Sequence, residues 1–275
     1  MYSTYVGQNN SLVFPVMCSG YVKLDYSDNV VDDAGTDNVY GIWDNEYRNF
    51  TFEAIVTPYE VVGNTAYPNN DSTKIMPSRS TGDGFSYLSS SNRLDHEMCL
   101  YSSSSLEIRL ANAQSSRSAY SAAEYRIETT ILLGSTEYTC NSSTCIVPDL
   151  GKRHRHIYGS SNNIKENIYS HTQFHILVSY DNVNKDCLIF VNGVKVGSST
   201  FDTTDSFAMA EEDIYIGVDH AQFSNASAFT RKQFMGEIHE LAIQNIAIKD
   251  ARRKLTLSPQ LHNTLLYLRF EEVVE

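Results

Sequence analysis

Apolar and polar positions alternate with a period of two in many short stretches of this chain, and no stretch sustains a helical period. In GYVKLDYSDNVVDD, Tyr21, Lys23 and Asp25 fall on one face and Val22, Leu24 and Tyr26 on the other, which predicts a strand running into an acidic turn. NFTFEAIVTPYEV at 49–61 sets Phe50, Phe52, Ala54 and Val56 against Thr51, Glu53, Ile55 and Thr57. Further strands are predicted at Met98–Tyr101, Leu106–Leu110 and Tyr125–Leu133. TQFHILVSY at 172–180 puts Phe174, Ile176, Val178 and Tyr180 on one face. DCLIFVNGVKVGS at 186–198 is a hairpin turning at Asn192-Gly193, because that dipeptide accepts the positive φ of a type I′ turn. DIYIGVD at 213–219, FMGEIHELAIQNIAI at 234–248 and LLYLRFEE at 265–272 close the series. Between the last two, KDARRKL at 249–255 reads as one or two helical turns, too brief to cover a sheet. Long polar loops are expected at about 63–96 and 135–170, with no internal repeat and no linker across 1–275. The expectation is a single two-sheet β domain, its sandwich closed by pairing the chain's beginning with its end around Leu24 and Leu268.

Composition supports that class: 18 Tyr and 12 Phe against one Trp, with abundant turn-forming Ser and Asn. The net charge of −12 repels a polyanion over most of the surface, and KRHRH at 152–156 is too small to reverse this, so no nucleic-acid partner is expected. No apolar run approaches the roughly 20 residues that span a bilayer, and MYSTYVGQNNSLVF lacks the basic and apolar regions of a secretory signal. The cysteines, Cys18, Cys99, Cys140, Cys145 and Cys187, contain no CxxC pair, which argues against a zinc ribbon. Cys140 and Cys145 flank NSST and are either two free thiols or a small disulfide across a hairpin.

The order of segments resembles the laminin-G-like branch of the concanavalin A-like lectin/glucanase superfamily. YVKLDYSDN leads to FTFEAIVTP, then FHILVSYD, LIFVNGVKVG, IYIGVD, FMGEIHELAIQNIAI and LLYLRFEE, so the likeness spans about residues 20–272. It implies an all-β, two-sheet antiparallel jelly-roll sandwich. The chain departs from the pattern at one informative position. Many relatives carry, in a strand written G-x-I-D-E, an aspartate that helps hold calcium; here that position is His239 in Gly236-Glu237-Ile238-His239-Glu240. Calcium prefers hard oxygen ligands, so a replacement site would fall to Asp25, Asp28 and Glu240. Asp219 is a further oxygen donor, better suited to capping a turn. No other cofactor is implied.

Catalytic patterns are sparse. Glucanases of this fold need two carboxylates close together on one sheet face, delivered by alternate residues. Glu211-Glu212-Asp213 has the wrong spacing, and Glu237 and Glu240 are expected on opposite faces. His171 and His175 have HxxxH spacing, but on a strand they stand about 13 Å apart. His154 and His156 share a face without an evident third ligand, and no G-x-S-x-G elbow marks a nucleophile. Binding is the better-supported expectation. Tyr59, Tyr67, Tyr87, Tyr138 and Tyr158, assigned to loops, are the candidate carbohydrate or partner contacts, each with core packing as its competing role. Stand-alone domains of this style are similar to structural components of bacteriophage particles. The resemblance therefore implies a non-enzymatic virion protein of tail, fibre or capsid-decorating type. Its partners would be other virion or surface proteins, further copies of itself, or a cell-surface glycan. The alternatives are a secreted or cell-surface calcium-dependent lectin and, third, a glycoside hydrolase.

Overall fold

The computed structural model describes residues 5–7, 11–14, 21–26, 42, 48–58, 62–63, 94–95, 98–112, 125–143, 173–220, 234, 236–258 and 261–269. Their regular structure is almost entirely antiparallel strand. The strands are β1 (Tyr5–Gly7), β2 (Ser11–Phe14), β3 (Val22–Leu24), β4 (Phe50–Pro58), β5 (Val62–Gly63), β6 (Leu94–Asp95), β7 (Met98–Ser102) and β8 (Leu106–Asn112). They continue with β9 (Tyr125–Leu133), β10 (Thr136–Asn141), β11 (Phe174–Asp181), β12 (Asp186–Val191), β13 (Val194–Thr200), β14 (Ile214–Ile216), β15 (Gly236–Gln244) and β16 (Thr264–Arg269). An eight-stranded sheet runs β1-β2-β15-β4-β11-β12-β13, with β16 also on β15. A six-stranded sheet runs β10-β9-β8-β7-β14-β3, and β5 pairs β6 separately. The protein is the all-β, two-sheet antiparallel sandwich of jelly-roll type that the strand order predicts. No helix among the described residues is long and apolar enough to cross a membrane.

The core lies where the alternation places it. Phe50, Phe52, Ala54 and Val56 of β4 meet Phe174, Ile176, Val178 and Tyr180 of β11 inside the sandwich. Ile108, Leu110, Ile127 and Ile131 face them from the other sheet. Each such side chain contributes on the order of 1.5–3 kcal/mol by leaving water. At one end Phe50 packs on Phe207 (ring centroids 4.9 Å apart) and on Tyr180 (5.8 Å), so the irregular segment after β13 plugs the gap between sheets. The β12–β13 turn has positive φ at Asn192 (51°) and Gly193 (80°), the type I′ geometry that Asn-Gly supplies.

Two expectations are corrected here. Leu24 and Leu268 do not meet in one sheet: Leu24 pairs with Ile214 in the six-stranded sheet, Leu268 with Leu241 in the eight-stranded one. What the chain's two ends share is β15, whose edge opposite β4 takes β2 at Gly236–Ile238 and β16 at Glu240–Gln244. The second correction concerns 249–255, which forms no helix. Residues 245–258 instead run as a strap over the outward face of the eight-stranded sheet, burying Ala251 against Leu177 and Phe190, and Leu257 against Ile55 and Ala242. Backbone groups that a helix would pair internally bind sheet side chains. Ile248 N–H donates to Ser179 Oγ (2.8 Å), Leu257 N–H donates to Glu240 Oε2 (2.8 Å), and Thr51 Oγ1 donates to the Ile246 carbonyl (2.7 Å). Both faces of β4 and β11 are therefore buried.

Gly236 opens β15 at φ 147°, a conformation that L side chains rarely adopt. A Cβ there would collide with the Thr57 carbonyl and lie 2.9 Å from Pro58 Cα, both fixed backbone of β4. Gly236→Ala should therefore lower stability by about 2 kcal/mol. Urea denaturation checks this; an unchanged midpoint would show that β4 yields at this point.

Candidate binding face

The strap closes one outward face of the sandwich, which directs attention to the other. Along β9 the burial alternates strictly, with Tyr125, Ile127, Thr129, Ile131 and Leu133 inward and Arg126, Glu128, Thr130 and Leu132 outward. Antiparallel register aligns the outward side chains of successive strands. Thr139 lies opposite Thr130, Thr130 opposite Glu107, Glu107 opposite Ser102, Ser102 opposite Tyr215, and Tyr215 opposite Lys23. With strands about 4.8 Å apart, this row is roughly 24 Å long, but β7 is buried throughout, so its accessible side chains fall into two groups, Thr139, Thr130 and Glu107 on one side of Ser102 and Tyr215 and Lys23 on the other. In the adjacent row Asn141, Glu128, Arg109 and Cys99 align in the same way.

Lys23 and Arg109 on this face are each paired with carboxylates. Arg109 bridges Glu107 (3.5 Å) and Glu128, and all three side chains remain about one-fifth accessible. Lys23 holds Asp25 (2.6 Å) and Asp213 (2.8 Å), and those two carboxylates raise its pKa above the ordinary lysine value, Asp213 contributing most. The rings of Tyr21 and Tyr215 lie 6.1 Å apart on the same face. Burial raises the Tyr215 pKa, with nearby Asp213 adding to the shift. Ser102 Oγ accepts the His220 backbone N–H (3.0 Å) and lies 2.8 Å from His220 Nδ1. Asp219 also approaches His220 at Nδ1, at 3.6 Å. A serine-protease relay uses the two different ring nitrogens for the serine and the carboxylate. Here both contacts fall on one nitrogen and Ser102 is fully buried, so the trio fixes the end of β7 to the turn after β14.

The residues singled out from sequence are dispersed. Asp25 belongs to the Lys23 cluster beside β3. Glu240 sits on the other sheet, where its Oε2 accepts Leu257 N–H (2.8 Å) and Tyr267 O–H (2.9 Å) and so anchors the strap and β16. The two acids are not brought together, Asp28 lies outside the described residues, and no group of three or more His, Cys, Asp or Glu among the described residues could hold a metal ion. Asp219 is nearly buried beside His220. Tyr138 is not in a loop but on β10, its ring 5.0 Å from that of Phe201 against the core and its hydroxyl 3.5 Å from the Asp202 carbonyl. Tyr59, Tyr67, Tyr87 and Tyr158 lie outside the described residues, as do His154, His156, His171 and the KRHRH stretch.

Glu237 and Glu240 correct a third expectation. A bulge between Ile238 and Glu240 inserts one residue, so Glu237 pairs with Thr57 and Glu240 with Ile55, and both point to the outward side. They do not form an isolated carboxylate pair. His239 lies 3.7 Å from Glu237 and 3.0 Å from Thr57 Oγ1, and burial depresses its pKa despite both glutamates. The acidic run at 211–213 is likewise engaged. Glu211 accepts Tyr26 O–H (3.0 Å), Glu212 accepts Ser104 N–H, and Asp213 accepts Tyr26 N–H (3.0 Å). What pattern reading missed was the set Glu107, Arg109, Glu128 and Tyr215, which only cross-strand register unites. Its available signal was the alternation of β8 and β9.

No sequence-family profile and no curated protein matches the chain. Among solved structures it is similar to a Bacteroides ovatus protein to which carbohydrate binding is ascribed. That match has TM-score 0.44 and 14% identity, covering 81% of this chain and 45% of the other, so this chain spans under half the length of that structure. It is also similar to CBM40 of the Ruminococcus gnavus IT-sialidase (TM-score 0.36, 10% identity, 77% and 87% coverage) and to domains LG4-5 of the mouse laminin α1 chain (0.37, 10%, 87% and 44%). None of the three is named as a virion protein. The two-sheet architecture rests on this chain's own strand pairing.

Proposed function

We propose that the protein acts by binding, and that the outward face of the six-stranded sheet takes a carbohydrate. The observation that carries this is the row of side chains there. A guanidinium lies between two carboxylates, hydroxyls of Thr130 and Thr139 flank them, and the Tyr21–Tyr215 rings follow toward the β3 edge. Sugar hydroxyls donate and accept together, so they match alternating planar donors and acceptors, while tyrosine rings cover the apolar face of a pyranose. Charge narrows the class. Lys23 and Arg109 are each paired to two carboxylates, leaving the described face net acidic, which favours neutral glycans over sialylated or sulfated ones. Binding is also preferred to turnover, because Arg109 fills the space between Glu107 and Glu128 where a glycosidase would seat the scissile bond.

A glycan array with neutral and acidic members, followed by calorimetric titration of any hit, tests the reading. Saturable binding to neutral oligosaccharides is expected, weakened at least about 10-fold by Tyr215→Leu with little change in melting temperature, and by Arg109→Gln, which also lowers the melting temperature by removing two ion pairs. A silent array, selective binding of acidic glycans, or affinity indifferent to both substitutions would defeat it. Ordered self-assembly on a silent array would transfer support to the particle-component reading.

A further inference from the structure

The two buried thiols of Cys140 and Cys187 stand in different sheets, on β10 and β12, yet meet across the core. Cys140 Sγ lies 3.6 Å from the Cys187 carbonyl oxygen, and both cysteines belong to the one buried core between the sheets. We propose that Cys140 and Cys187 are a disulfide pair that staples the two sheets together when the chain folds in an oxidising medium. The short polar spacing of Cys140 and Cys145 offers a rival partner by sequence; Cys145 lies outside the described residues, and Cys187 is the described cysteine that stands beside Cys140.

Neither thiol is accessible in the folded sandwich, so the chemistry belongs to folding, before the sheets close. With glutathione disulfide as oxidant, one cysteine thiolate attacks its sulfur and expels one glutathione thiolate, giving a mixed disulfide. The second cysteine loses its proton and attacks that mixed disulfide at the protein sulfur, expelling the second glutathione thiolate. Two protein thiols are oxidised, one glutathione disulfide is reduced to two glutathione, and the two thiol protons are carried off by the leaving thiolates and buffer.

The test is to denature and reduce the full chain, then refold it in parallel with a glutathione redox couple and with dithiothreitol. Non-reducing peptide mapping by mass spectrometry should find the Cys140 and Cys187 peptides joined in the first sample only. The melting temperature of that sample should be higher by about 5–15 °C, since the bridge closes a long loop. Cys145→Ser should retain the linkage and the shift, whereas Cys187→Ser should lose both. Mapping of the unsubstituted chain does not depend on any variant folding. Absence of a bridge at Cys140, a Cys140–Cys145 bridge, or a bridged form that melts lower than the reduced one would each overturn the proposal.

Discussion

Glu53→Ala should destabilise the fold by about 4 kcal/mol, the usual scale for removing one partner of a buried charged pair. Glu53 is wholly inaccessible on the outward side of β4. Its Oε1 accepts His175 Nε2–H (2.7 Å), and Lys254 Nζ reaches both carboxylate oxygens, at 2.7 and 3.0 Å. The backbone N–H of Lys254 donates to His175 Nδ1 (3.4 Å), which leaves Nε2 as the proton-bearing nitrogen facing the carboxylate. One carboxylate thus ties the strap to both β4 and β11. Burial alone would push its pKa up, but the hydrogen bonds from His175 and Lys254 prevail and hold it below the ordinary carboxylate range. The sign of the pH effect follows. The unfolded chain takes up this proton at about pH 4.3 and the folded chain only at lower pH. Stability contributed by Glu53 is full above that range and disappears as pH falls through the depressed value. Glu53→Gln should cost less than alanine at pH 7, and its penalty should shrink toward pH 3. Urea titrations across that interval check the slope; a penalty that stays constant would mean that the carboxylate charge is not what holds the strap.

Phe50→Ala should cost a comparable amount, about 4 kcal/mol, through the transfer and cavity terms of a deleted core ring. Phe50 is the first residue of β4, almost fully buried, and touches Phe207 and Tyr180, while Tyr180 also stacks with Phe201 at 6.1 Å. Phe201 and Phe207 belong to the irregular stretch joining β13 to β14, and Phe207 forms an isolated bridge to Leu133 of the opposite sheet. The loss should therefore be uneven. Amides of 201–210 should exchange faster with solvent deuterium than those of β8 or β9, whereas Phe50→Leu should recover most of the stability. Uniform acceleration over both sheets would show instead that Phe50 supports the whole sandwich rather than its plugged end.

Much of this architecture is readable from residue order because a period of two leaves little choice. Phe50 to Val56 and Phe174 to Tyr180 declare an inward face, and Asn192-Gly193 declares its own turn. The strap is not readable in the same way. Ala, Arg, Lys and Leu at 251–255 favour a helix locally, but contacts from Thr51, Ser179, His175 and Glu240 exist only once the sheet is built. For the same reason Thr51, Glu53 and His175 resemble a solvent face although they are buried. The bulge before Glu240 adds one residue and reverses every later facing assignment on β15, a change that alternation cannot reveal. On the binding face, Tyr21, Lys23 and Asp25 are recognisable as one surface. Their association with Tyr215 and Asp213, and the clustering of Arg109 with Glu107 and Glu128, require knowing which strand lies beside which.

The position of β15 also constrains how the polypeptide can be made. β4 is bordered by β11 on one edge and β15 on the other, and β15 is synthesised long after both. On a translating ribosome the FTFEAIV ribbon must wait with one edge unsatisfied, offering a template to any neighbouring nascent chain. Products truncated before Gly236 should accumulate as aggregates instead of soluble part-folded sandwiches, since the segment from Gly236 onward supplies the partner that silences that edge.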